Sequence, residues 1–74
     1  MNKELIAKKI KELRLFKGYT LMQLSELSGV THITISNVER GRFLPQCTTL
    51  HKLLKALEYD YEKFYEETKD ENIY

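Results

Sequence analysis

Residues 29–41, GVTHITISNVERG, narrow the available folds more than any other stretch. Six of these thirteen residues are β-branched (Val30, Thr31, Ile33, Thr34, Ile35 and Val38), and Ile33-Thr34-Ile35-Ser36 alternates apolar with polar. Propensity alone makes this a strand. A strand needs a partner, however, and whether the chain holds one decides the fold class.

The rest of the chain offers no partner. Residues 3–17 place Leu5, Ile6, Ile10, Leu13 and Phe16 at three-to-four spacing among Lys and Glu, which predicts an amphipathic helix. Gly18 ends it, with Lys17 in the last turn where a cation suits the helix dipole. Thr20 caps a second, short helix whose face is Leu21, Leu24 and Leu27, and Gly29 stops it. After Gly41, Arg42-Phe43-Leu44-Pro45 reads as a loop. Leu50, Leu53, Leu54 and Leu57 then predict a helix over 47–57, and Asp60 caps a last one with Tyr61, Phe64 and Tyr65 as its apolar face. An unpaired strand among helices would leave buried backbone groups unsatisfied. Residues 31–40 are therefore expected to be a helix: Thr31 is its cap, Ile35 and Val38 point inward with Val30 leading in, and Ile33, Ser36, Asn37 and Arg40 face outward. The expectation is all-α.

Seventy-four residues make one domain. The single cysteine, Cys47, cannot form an internal disulfide, so apolar packing must hold the core. The charged N-terminal MNKELIAKKIKEL has no apolar run for a signal peptide or membrane span, which predicts a soluble cytoplasmic protein with no membrane partner. Residues 1–57 hold ten Lys/Arg and four Glu, whereas 58–74 hold two Lys and seven Asp/Glu. A basic body followed by an acidic end suits a nucleic-acid partner on one side only. The expected division is a domain over 1–67 and a short acidic tail, 68–74, that frays.

Helix, glycine turn, helix is the order of a helix-turn-helix. Thr20, Leu24, Ser25, Gly29-Val30-Thr31, Thr34-Ile35-Ser36, Val38-Glu39-Arg40-Gly41 and Pro45 occur in the order of the phage-repressor (Cro-like, XRE) family. The chain resembles that family over residues 5–66. The resemblance implies a compact five-helix domain of the lambda-repressor-like type, with the helix-turn-helix at helices 2 and 3. It also implies a sequence-specific regulator of transcription, a repressor, that reads double-stranded DNA as a homodimer on an inverted repeat.

Carried over position by position, the resemblance directs His32, Ile33, Ser36 and Asn37 toward bases. Asn37 suits adenine, and Ile33 suits a thymine methyl. Thr20, Leu21, Thr31, Arg40, Arg42 and Phe43 fall near the phosphates, where Leu21 and Phe43 have only backbone N–H groups to offer. Arg14 and Glu39 match a partly buried ion pair that ties the first helix to the third. The chain departs from the family pattern at Leu21, where Gln is common, and the third helix lacks the usual Arg or Gln. Modest charge on that face predicts weak, salt-sensitive non-specific binding.

Tyr61, Phe64 and Tyr65 are candidates for a dimer interface, because Tyr is enriched at interfaces. Cys47 and His51 lie four apart on one helix, but two ligands make no structural zinc site, and Cys47 is expected to pack as a small hydrophobe. No catalytic constellation, metal site, cofactor motif or small-molecule sensor is evident, so the chain is not expected to be an enzyme. Leu21, Ile33 and the modest charge motivate a second function, a protein-interaction or antitoxin-like module on the same scaffold.

Overall fold

A computed structural model describes residues 2–69. Five helices follow one another: α1 (Lys3–Lys17), α2 (Leu21–Ser28), α3 (His32–Glu39), α4 (Cys47–Ala56) and α5 (Tyr61–Thr68). No strand occurs among the described residues. Tail residues 70–74 lie outside them.

The disputed stretch is helical because burial outweighs propensity. A β-branched residue in a helix costs up to about 0.7 kcal/mol relative to alanine. Ile35 and Val38 are fully buried, and each such burial contributes about 1.5–3 kcal/mol. Val30 and Thr31 precede the helix and carry no helical cost. Thr31 caps it, its Oγ1 accepting from the Thr34 amide at 3.2 Å.

The other helices converge on the same core, formed by Ile6, Ile10, Leu24, Val30, Ile35, Val38, Leu50, Leu53, Leu54, Leu57 and Phe64. Asn2 starts α1, its Oδ1 accepting from the amides of Glu4 at 2.8 Å and Leu5 at 3.2 Å. Asp60 starts α5 by accepting from the Lys63 amide at 3.1 Å. The α5 helix includes Thr68, one residue beyond the boundary expected from sequence. Thr68 is buried, donates its hydroxyl to the Phe64 carbonyl at 2.8 Å, and accepts from the Asn2 amide at 3.4 Å.

Two apolar faces differ from expectation. Phe16 is 88% exposed, and Leu5 is exposed as well. The inward side of α1 runs through Ile6, Ala7, Ile10 and Arg14, and Phe16 lies well round the helix from that line. Hydrophobic periodicity gives no weight to an inward-facing arginine, so it drew the stripe too far round. On α2, Leu24 is buried but Leu27 is 58% exposed. Only Leu24 of this short helix is fully enclosed, and Leu27, a turn later, lines an open groove with Tyr19, Lys52 and Ala56.

Candidate nucleic-acid interface

The turn between α2 and α3 begins at Gly29, whose φ of 77° closes α2. Val30 follows, buried, with its amide donating to Ser28 Oγ at 3.1 Å. Thr20 opens α2 with a reciprocal cap: its Oγ1 accepts from the Gln23 amide at 3.1 Å, and Gln23 Oε1 accepts from the Thr20 amide at 2.8 Å. Sequence reasoning missed Gln23, although the spacing T-x-x-Q carries the signal. The cap uses the Thr20 oxygen only as an acceptor, which leaves its O–H to donate to an anion. Leu21, at the first turn, packs its side chain against the core. Its amide is one of the unpaired N–H groups of a helix start.

The far end of α3 is closed by Gly41. Its amide donates to the Val38 carbonyl at 3.0 Å, and its φ of 69° lets the Arg42 amide reach the Asn37 carbonyl at 3.1 Å. This closure turns Arg42, Phe43 and Leu44 outward, and all three are exposed.

Arg14 fixes α3 from behind. Its Nε donates to Glu39 Oε2 at 2.7 Å and its Nη2 to Oε1 at 3.0 Å, while Nη1 donates to the Tyr19 carbonyl at 2.8 Å. The two side chains are 11% and 7% exposed. Two parallel bonds from a planar fork set direction as well as distance, and the contact holds the Arg14 pKa above its ordinary value. One residue thus joins α1, the α1–α2 loop and the last turn of α3.

With its inner side held, α3 turns a stripe outward. His32 and Arg40 are exposed, Ile33 is 64% exposed, and Ser36 and Asn37 are half-buried. Residues 33, 36, 37 and 40 share one helix face. Among the described residues, no hydrogen bond or ion pair engages the side chains of His32, Ser36, Asn37, Arg40 or Arg42, and the Ser36 hydroxyl makes no bond back to its own helix. Thr31 differs: its hydroxyl proton goes to Thr34 Oγ1 at 2.9 Å.

The helix-turn-helix family model (HTH_3) matches residues 10–64. The chain belongs to this XRE-like helix-turn-helix family. It is 37% identical over 60 residues to the HTH-type transcriptional regulator PuuR of Escherichia coli K12, an alignment covering 81% of this chain and 32% of PuuR. It is 40% identical over 48 residues to the HTH-type regulator YgzD of Bacillus subtilis 168, covering 65% of this chain and 73% of YgzD. The crystal structure of an HTH_3 family transcriptional regulator from Vibrio cholerae superposes with a TM-score of 0.82 at 33% identity, over 89% of this chain and 37% of that one. The chain therefore spans about a third of the length of PuuR and of the Vibrio protein. The family is one of transcriptional regulators, not of enzymes.

Two site expectations are corrected within this helix-turn-helix domain. Phe64 is 0% exposed, so it fills the core and has no surface to give a dimer interface. Tyr65 is exposed, and Tyr61 is half-buried with its ring edge-on to His51 at 4.2 Å. Cys47, the first residue of α4, is exposed rather than packed. Its Sγ lies 3.8 Å from the Tyr61 hydroxyl, and this contact pushes the Tyr61 pKa up, with help from burial. Among the described residues no three metal-ligating side chains gather, and no helix is long and apolar enough to cross a membrane.

Proposed function

We propose that the chain is a sequence-specific repressor of transcription that binds an inverted-repeat operator in double-stranded DNA as a homodimer, in the cytoplasm, with α3 in the major groove. One observation carries this reading. The inner side of α3 is clamped by the Arg14–Glu39 fork, while the polar groups of its outer stripe have no partner among the described residues. A helix held this way presents donors and acceptors at fixed positions, which base-edge recognition requires. His32, Ile33, Ser36 and Asn37 take the base-facing role. The Thr20 and Thr31 hydroxyls, the Leu21 and Phe43 amides, and Arg40 and Arg42 take the phosphates; the Thr31 hydroxyl is also held by its contact with Thr34 Oγ1 at 2.9 Å. Tyr61 and Tyr65 remain the candidate dimer contacts.

Selection from a pool of random duplexes with the purified full chain tests the proposal. The expected product is a two-fold-symmetric motif with half-site centres about 34 Å apart. Asn37→Ala should weaken binding to it by about 1–3 kcal/mol. Equal affinity of variant and wild type for the selected duplex would reject the assignment of α3. A second reading, a protein-interaction module, draws on the exposure of Ile33, Phe43 and Leu44. Absence of any enriched motif, with a folded helical protein, would favour it.

A further inference from the structure

We infer that the outer stripe of α3 selects A·T over G·C, through Asn37 on an adenine and Ile33 on a thymine methyl within about two base pairs of each other. The inference rests on the DNA-reading role proposed above and specifies the chemistry of its ligand.

Asn37 presents one donor group and one acceptor on a rigid amide, and no bond from the described residues engages either. Adenine offers the matching pair in the major groove, an N6 donor and an N7 acceptor. Guanine offers two acceptors, O6 and N7, so one amide lone pair would face another. A guanine is read by two donors from Arg or from Lys, and the stripe formed by His32, Ile33, Ser36 and Asn37 holds neither. Arg40 shares this face but, as the C-cap, stands at its far end, and Arg42 lies beyond it. His32 and Ser36 each carry both donor and acceptor capacity, so neither prefers a base by itself.

Ile33 strengthens the choice by rejection as well as attraction. It lies one turn before Asn37 on the same face, and it is 64% exposed. Against thymine its side chain covers a methyl group. Against a G·C pair it would remove water from the cytosine N4 donor or the guanine acceptors and return no hydrogen bond, which disfavours that pair. Four residues of helix rise about 6 Å and successive bases are about 3.4 Å apart, so the two contacts fall one or two base steps apart.

The test uses the full chain and the duplex recovered by selection, with two measurements that need no variant. Replacing the A·T pairs under α3 one at a time by G·C should lower wild-type affinity about tenfold or more at the Asn37 position. Replacing the thymine under Ile33 by deoxyuridine, which removes only the methyl, should lower it about fourfold. Asn37→Ala should lose the adenine preference and Ile33→Ala the response to deoxyuridine; both positions lie off the core, and circular dichroism checks that α3 persists. A selected half-site read through guanine, or a wild type indifferent to deoxyuridine, overturns the inference while leaving the DNA-reading role intact. No selected sequence at all overturns both.

Discussion

Arg14 sends Nε and Nη2 to Glu39 and Nη1 to the Tyr19 carbonyl, so losing its partner strands a charge where little water reaches. Glu39→Gln should therefore destabilise the domain by about 3 kcal/mol, a large fraction of what a domain this small holds. Arg14→Met/Glu39→Leu removes both charges and should recover most of that loss. Urea denaturation of wild type and both variants checks both values, and a Glu39→Gln variant as stable as wild type would show that the pair is effectively wet. Gly18 gives a cleaner test of backbone cost. Its φ is 76°, and an added Cβ would meet no atom within 4 Å. Gly18→Ala should thus show torsional strain alone, about 1–2 kcal/mol; a neutral result would mean that the end of α1 refolds around it. Gly18 was legible in the sequence as a stop. Glu58 was not: it takes a positive φ of 56° where residue preference gives no warning, because the closure of α4 requires that conformation of whichever residue stands there.

At the scale of elements, the sequence was readable wherever a helix shows a wide apolar face and misleading wherever a polar residue faces inward. α4 reads directly, since Leu50, Leu53 and Leu54 repeat at helical spacing and all are buried. α3 needed the whole chain, because its β-branched content favours strand until the lack of a partner is weighed. The polar part of the junction of α1 with α5 could not be read, because its groups lie far apart in sequence. Lys9 pairs with Glu67 at 3.3 Å, and the Tyr59 hydroxyl donates to the same carboxylate. The tyrosine bond, aided by Lys9, holds the Glu67 carboxyl below its ordinary value of 4.5. The ionised form is thus favoured in the folded state, and its contribution is fully present above about pH 4.5 and is lost as pH falls through the lowered value. Glu67→Gln should be less stable than wild type at pH 7, with the gap closing toward pH 3. Thermal unfolding across that range checks it, and a gap independent of pH would exclude a carboxylate-specific role for Glu67.

Over the whole molecule, charge sets how the domain should meet DNA. Residues 1–57 carry a net +6 and residues 58–74 a net −5, so the helix-turn-helix belongs to the basic part and α5 to the acidic part. The residues proposed to face phosphates nevertheless include only two cations, Arg40 and Arg42, beside hydroxyl and amide donors that release no counterions. A dimer neutralising four phosphates should show a slope of log K against log salt of roughly −3.6. Arg42→Ala removes one cation per protomer, so the slope should fall to roughly −1.8, with affinity lost about equally on operator and non-operator duplexes. Asn37→Ala should do the reverse, keeping the slope and losing discrimination. Titrations at several salt concentrations on both duplexes separate the two. A wild-type slope much steeper than predicted would mean that α1 lysines also lie on the phosphates, tilting α1 toward DNA. An Arg42→Ala slope equal to wild type would remove the 40–44 loop from the interface and leave α3 and the start of α2 to hold the duplex.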